Sequence, residues 1–473
     1  MKKVDWIILG GIAVACYAAF FHHLGEFTVR IWDESRNGVS ALEMSRSNNW
    51  LVTTYQGIPD MWSVKPPLYI WLVAIIYKIF GVSELGLRLP SAVGVSLVVL
   101  TIYLFSLKAL KNRWIGIVGA LIILSSMGFP DLHIGRTGDY DALLTLFMFW
   151  GGLGLFEYLN KPGNKNLVIA TGALVGAVLT KGIAGVMMVP GVAIFIIFGG
   201  KVIEVLKDKR FWVSLIIGIS IVGGFYLLRE RVNPGYLAAV WKEEIEGRFN
   251  NNLGSSSSNF WYYWKFFSEF RFQKWIWMVP LSGVVLLITK DKKLKSFVAY
   301  GLLICVSYFL LISSAATKNM WYDAPLYPWM SLLAAVFVVK TIGKFPVMVR
   351  IFPILVFCFY TQRYIRTNLA YIHRPDLEKN DSCLKYGYLF RDKSINKTGF
   401  AGAHLADWCS PIIFYLESNG LKKISVDKIN SGDKVLTCDS ITFNLIKDKF
   451  DVETVFDNKD GCIGVKIGKS VEI

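Results

Sequence analysis

The stretch PPLYIWLVAIIYKIFG, residues 66–81, decides how this chain is folded. It is apolar enough to enter a bilayer, yet it opens on Pro66 and Pro67 and is interrupted by Lys78. It is also short for a full crossing, which takes about 20 apolar residues. Whether it crosses sets the side of every later loop. Apolar runs also lie near 5–22, 90–107, 114–130, 142–158, 167–180, 183–199, 211–228, 276–289, 296–314, 324–340 and 346–361. If 66–81 does not cross, eighteen lysines and arginines in the short loops share one side with only Glu204, Asp208 and Asp291. If it does cross, Lys2 and Lys3 are parted from Lys108, Lys111, Arg113 and every later basic loop. The positive-inside bias therefore favours about eleven crossings, with 66–81 lying at the outer surface.

Composition agrees with a polytopic membrane protein. Hydrophobic residues make up 54% of the 473, charged residues only 18%, and mean hydropathy is +0.44. A soluble domain carries about 25% charged residues. The net charge of +16 reads as positive-inside loops and anionic lipid, with no nucleic-acid partner implied. The N-terminal run, Trp6 to Phe21, lacks a following small-residue cleavage site and reads as a retained span. Two units follow: a helical membrane unit over 1–362 and a small α/β extracytoplasmic unit over 363–473. In the second, GFAGAHLADWCSPIIFYLESNG reads as strand, loop, helix, while KVLTCDSITFNLI and GCIGVKIGK read as strands. Its four cysteines, Cys383, Cys409, Cys438 and Cys462, permit two disulfides in three pairings. Cys16, Cys305 and Cys358 lie in apolar runs and read as packing residues.

On this topology the ionisable residues at membrane edges share the outer face. Asp33 and Glu34 follow the first span in IWDESRNG, and Arg36 reads as their counter-charge. Asp139 and Asp141 open the fourth span, and Lys65 precedes the double proline. Lys181 breaks an apolar stretch, Arg248 lies in KEEIEGRF, and Lys318 and Tyr322 precede a later span. Charges beside hydrocarbon are costly, so a cluster of both signs points to a polar cavity. There a carboxylate acts as general base while cations bind a phosphate and stabilise it as it leaves. The plainer alternatives are a helix cap for Asp139, a snorkelling lysine for Lys181 and an aromatic-belt residue for Tyr322. No GxxxxGK[ST] or HExxH occurs, so neither ATP-driven transport nor a zinc-protease site has support. The rival from another class is a transporter or flippase of lipid-linked sugar, which needs the groove and the cations but not the acids.

The motifs form an ordered series: WDESR at 32–36, KPPLYIWL at 65–72, GVSELGLRLPSA at 81–92, GRTGDYDALLTLF at 135–147, LTKG at 179–182, WKEEIEGRF at 241–249 and TKNMWYDAPLYP at 317–328. This series resembles the GT-C membrane glycosyltransferases, in the group holding the aminoarabinose transferases of lipid A and the protein O-mannosyltransferases. The resemblance implies an all-α polytopic fold with juxtamembrane helices in the first outer loop, 66–81 among them. It implies an inverting transfer of a sugar from a polyprenyl-phosphate donor to a lipid, glycan or protein acceptor. The setting it implies is the outer face of a plasma membrane, the inner membrane of a bacterium. Asp33, Glu34 and Asp141 match the family's acids, Asp33 as the residue that binds or deprotonates the acceptor. Lys65, Arg248 and Tyr322 match positions around the donor phosphate, with Lys181 and Lys318 as further cations there. No cofactor is required; Asp33, Asp139 and Asp141 are candidate oxygen ligands should a divalent cation take part. Two positions depart from the family: Asn259, where many relatives have a histidine nearby, and Asn319, where many have a basic residue.

Overall fold

A computed structural model describes residues 1–130, 133–250, 259–343, 346–372, 381–406, 408–458 and 460–471. The chain begins with α1 (Lys3–Cys16), extended by a π turn over Tyr17–Phe21. Next come α2 (Asp33–Ser47), a short hairpin of β1 (Thr54–Tyr55) and β2 (Ile58–Pro59), and α3 (Leu68–Phe80). The bundle continues with α4 (Glu84–Lys108), α5 (Arg113–Ser125), α6 (Asp141–Asn160), α7 (Asn164–Lys181), α8 (Val189–Phe198), α9 (Val202–Lys207) and α10 (Lys209–Val232). Then follow α11 (Tyr236–Val240), a π-helical stretch (Trp241–Asn250), α12 (Tyr262–Phe266), α13 (Met278–Leu281), α14 (Val284–Ile288), α15 (Lys292–Ser314), α16 (Leu326–Ile342) and α17 (Val347–Ile372).

Among the described residues, six helical segments are long and apolar enough to cross a membrane, and five more are apolar but shorter. The shortening has local causes. The run 183–199 is split into a 3-10 turn (Gly182–Val186) and α8, whose first turn carries Pro190. The run 276–289 is split around Pro280 into a 3-10 turn and the two brief helices α13 and α14. Proline removes a backbone donor and clashes with the preceding turn, so neither run stays a single rod. With its 13 residues α3 is about 20 Å long, short of the ~30 Å hydrocarbon core. Because α5 has the same 13 residues, length by itself does not separate a surface helix from a crossing one. In the other direction α17 runs on to Ile372, past the 362/363 boundary read from sequence.

Burial sorts the helices by position. Most of α16 is buried, from Leu326 to Val336. None of the central window of α10 is buried, and Ile216, Ile219, Leu227 and Leu228 point outward. An apolar rod with an apolar exterior is a bilayer-facing helix.

The C-terminal unit is a mixed four-stranded sheet in the order β3 (Ala401–Gly402), β4 (Lys434–Thr437), β6 (Ile463–Ser470), β5 (Phe450–Asp457). The β3–β4 pair is parallel and the others antiparallel. With it go α18 (Lys385–Arg391), α19 (Ser410–Ser418) and α20 (Ser440–Lys449). The second half of KVLTCDSITFNLI, expected as strand, is therefore helix. Asp439 caps it by accepting from Thr442 N at 3.1 Å, and that cap overrides the β-branched pattern. Disulfides join Cys383 to Cys409 and Cys438 to Cys462, which selects one of the three pairings. Tyr386, Leu389, Ile412, Phe414 and Leu416 belong to the same continuous core as the bundle. At Gly38 of α2 the two units are so close that a Cβ would stand 2.8 Å from the Phe414 ring. The only residue type that fits there is the one without a side chain.

Candidate active site

The first acid pair sits at the start of α2, and its two members face different surroundings. Side chains of adjacent helical residues point about 100° apart, so one acid meets the cavity and the other the core. Asp33 is the outward one and lines a cavity of about 320 Å³ with Trp62, Lys65, Asp139, Lys181, Glu243 and Tyr322. Glu34 is buried. Its carboxylate accepts from Arg88 Nε at 2.6 Å and Nη2 at 2.9 Å, and from the backbone N–H of Arg30 and of Gly138, both at 2.7 Å. Burial opposes its charge, but Arg88 and these donors outweigh that and hold the Glu34 pKa below the usual range. Arg88 also donates to the carbonyls of Leu24, Phe27 and Thr28. Glu34 thus ties α2, α4 and the loop before α6 together and does not line the cavity. The counter-charge read from sequence is also corrected: Arg36 pairs with Asp60 at 2.7 Å and covers the rings of Tyr55 and Trp62, while Arg88 serves Glu34.

Asp139 and Asp141 are two residues apart and do different things. Asp141 opens α6 and is clasped by Lys181, whose Nζ donates to both carboxylate oxygens at 2.7 and 2.6 Å. Asp139 accepts its neighbour's N–H and meets His133 Nδ1 at 2.5 Å. His133 Nδ1 also lies 3.9 Å from Asp33 Oδ2, and its ring stacks on Trp321 with centroids 3.7 Å apart. Burial pulls the imidazole pKa down, but the hydrogen bond and charge of Asp139 overcome it, so the His133 pKa is raised. Of the three acids considered for a divalent cation, only Asp33 and Asp139 share a position. The third group there is His133, with ligand atoms all within 4.8 Å of one another. Two carboxylates and an imidazole suit manganese or zinc better than magnesium.

Lys65 is buried at the cavity wall with its ammonium 5.2 Å from the Tyr140 ring centroid. Among the described residues it has no carboxylate within ion-pair distance. Tyr322 accepts from Asn319 Nδ2 at 3.1 Å, and its ring lies 5.3 Å from Lys181 Nζ. Lys181 and Tyr322 also line a second, smaller pocket of about 60 Å³, with Asp141 and Glu244 at its edge and Leu144, Ile183, Met187 and Ile312 giving it a mostly apolar surface. Lys318 lines neither space; its Nζ donates to Ala315 O at 2.7 Å, and burial lowers its pKa. The Arg248 side chain lies outside the described residues. Sequence reasoning singled out neither His133 nor Glu243 as a site residue. Glu243 lay within WKEEIEGRF and His133 two residues before GRTGDYDALLTLF, and a titratable side chain on the outer face was the available signal.

The sequence is similar to known proteins over the bundle. The family model for dolichyl-phosphate-mannose-protein mannosyltransferases matches residues 64–225, a span that contains Lys65, Asp139, Asp141 and Lys181. An undecaprenyl phosphate-alpha-4-amino-4-deoxy-L-arabinose arabinosyl transferase of Proteus mirabilis is 25% identical over 355 residues, covering 71% of this chain and 61% of the relative. An uncharacterized protein of Aquifex aeolicus is 27% identical over 320 residues, 67% of this chain and 61% of the relative. The chain thus spans about six tenths of the length of these curated relatives. Among solved structures, ArnT from Cupriavidus metallidurans bound to undecaprenyl phosphate superposes with a TM-score of 0.72 at 14% identity, covering 98% of both chains. The archaeal oligosaccharyltransferase AglB from Archaeoglobus fulgidus gives 0.57 at 12% identity, covering 98% of this chain and 74% of that one. The chain is a multi-pass membrane protein with the GT-C fold, and the resemblance carried by its ordered motifs extends to the arabinosyl transferases and to the mannosyltransferase family model.

Proposed function

We propose that the protein is an inverting glycosyltransferase that moves a sugar from a polyprenyl-phosphate donor to a lipid, glycan or protein acceptor. The observation that carries this reading is the convergence of Asp33, Lys65, Lys181 and Tyr322 on one cavity that abuts an apolar pocket. The small apolar pocket marks the side of the cavity on which the donor's lipid tail would lie. Lys65, which has no acid partner among the described residues, is a cation available to the phosphate, and Tyr322 adds a donor. Lys181 shares its charge with Asp141 and sets the polar edge of the pocket.

In the transfer step Asp33 takes the proton of the acceptor nucleophile. The nucleophile bonds to the anomeric carbon as the bond from that carbon to the phosphate oxygen breaks, and the electron pair leaves with the phosphate. One displacement inverts the anomeric centre, with a single carboxylate as base, as in inverting glycosidases. The departing phosphate needs no proton, so no general acid is required. Glu34 acts on this step through position only. A flippase of lipid-linked sugar would use the same cations and groove but has no need of Asp33 in the cavity.

We place the cavity and the C-terminal unit on the outer face of the inner membrane. The basic loops lie at the opposite ends of α4, α6, α15 and α16 from the site residues, and the two disulfides fit an oxidising compartment. Asp33→Asn tests the assignment. It is expected to insert and fold as wild type, to bind undecaprenyl phosphate, and to lose transfer by about a hundred-fold or more. Retained transfer would remove Asp33 from the chemistry.

A further inference from the structure

The turn that leads into Asp33 is braced from outside α2. The residue before it, Trp32, has φ +68° and ψ −118°, a strained conformation for a residue with a side chain. The Trp32 ring is 59% exposed, so its own packing does not hold the turn. What holds it comes from the far end of the chain. Ser410 Oγ accepts the Trp32 N–H at 2.9 Å and lies 2.6 Å from Ser35 Oγ, while Ser35 donates to Trp32 O at 2.9 Å. Ser410 is the first residue of α19, directly after Cys409, which is bridged to Cys383. One turn on, Tyr415 accepts the Val29 N–H at 2.9 Å. From α18, Arg391 reaches the Phe27 carbonyl at 2.9 Å and Glu84 at 2.7 Å. The segment leading into Asp33 is thus clamped on both flanks by the C-terminal unit.

We propose that Ser410 is a positioning residue for the transfer step: its hydroxyl, anchored in the C-terminal unit, holds the strained Trp32 turn and thereby keeps Asp33 at the cavity. This rests on the reading of Asp33 as the base. Without the hydroxyl, the Trp32 N–H loses its partner while φ stays unfavourable, so the turn relaxes and the first residue of α2 moves with it. A displacement of about 1 Å at a reacting group costs about a hundred-fold in rate.

The test uses the full chain in lipid nanodiscs, as wild type, Ser410→Ala, Ser410→Thr and Asp33→Asn. The first readout is amide exchange over residues 28–37, which needs no substrate. The second is steady-state transfer with undecaprenyl-phosphate-linked 4-amino-4-deoxy-L-arabinose as donor and lipid A as acceptor. Ser410→Ala is expected to raise exchange at the turn about ten-fold and to lower kcat about ten- to a hundred-fold. The donor KM is expected to stay within about two-fold, because Lys65 is untouched. Ser410→Thr, which keeps the hydroxyl, restores both. Unchanged exchange and kcat in Ser410→Ala overturn the proposal. So does exchange raised all along α19 with the Thr variant equally impaired, since that marks general loosening of the C-terminal unit. Transfer retained in Asp33→Asn defeats the reading of Asp33 by itself, and the exchange result still decides whether Ser410 holds the turn.

Discussion

At the scale of single residues, the site is built from charges that the bilayer makes expensive. The Asp141–Lys181 pair is buried on both sides, with side chains 1% and 5% exposed. Removing one partner of such a pair leaves a lone buried charge and costs about 3–5 kcal/mol. Asp141→Asn and Lys181→Met are each expected to lower thermal stability by that order. The double variant Asp141→Leu with Lys181→Met is expected to recover most of it, as measured by thermal unfolding in detergent. Equal loss in the double variant would mean that the pair's attraction to each other is not what matters. That Asp33, Lys65, Asp139, Lys181 and Tyr322 gather at one cavity was legible in the sequence because the loop charges put all five on the same face. The division of labour between Asp33 and Glu34 was not, since two adjacent carboxylates are alike until a helix turns one inward. Nor was Arg88 legible as Glu34's partner: it lies in GVSELGLRLPSA, just ahead of the 90–107 run and 54 positions from Glu34, and only the fold joins them.

At the scale of elements, the contact between α2 and α19 carries a titratable feature. Glu417 in α19 is half-buried, and burial together with Glu43 of α2 raises its pKa to about 7, against a smaller opposing pull from Arg46. Arg46 also donates to the Glu417 carbonyl at 3.0 Å. The folded-state pKa lies above the unfolded value of about 4.3. The associated stabilisation is therefore complete below that pH and is lost as pH rises through about 7. The protection factors of the α19 amides, with the intrinsic pH dependence of exchange divided out, are expected to fall between pH 5 and pH 8 by this route, and Glu417→Gln to flatten that dependence. A dependence that persists in the Gln variant would assign it to another group. Helix existence was legible along most of the chain, because apolar runs near 20 residues have few alternatives. Helix continuity was less so: the breaks at Gly182 and Pro280 depend on how neighbouring helices accept the freed backbone groups. The helix at Ser440–Lys449 was misread because one capping aspartate outweighs a β-branched composition.

At the scale of the whole molecule, charge bookkeeping over the loops gives an orientation that a fusion can check. A phosphatase reporter placed after Ile372 is expected to be active, since that enzyme requires an oxidising, exported setting; a cytoplasmic reporter active at the same junction would reverse the topology. The architecture was legible because the loop charges and the ordered motifs point the same way. The seating of the C-terminal unit was not, because its contacts with α2 join residues hundreds of positions apart. That seating has a consequence for how the protein is made. Trp32 and Ser410 are separated by 378 residues, so a ribosome finishes Asp33 long before it makes the residue that braces it. A partly synthesised chain already has the lysines and the acid but not the clamp. On the proposed reading, transfer reaches its full rate only once the C-terminal unit has folded onto α2, and a chain truncated after α17 is expected to transfer more slowly than the whole protein.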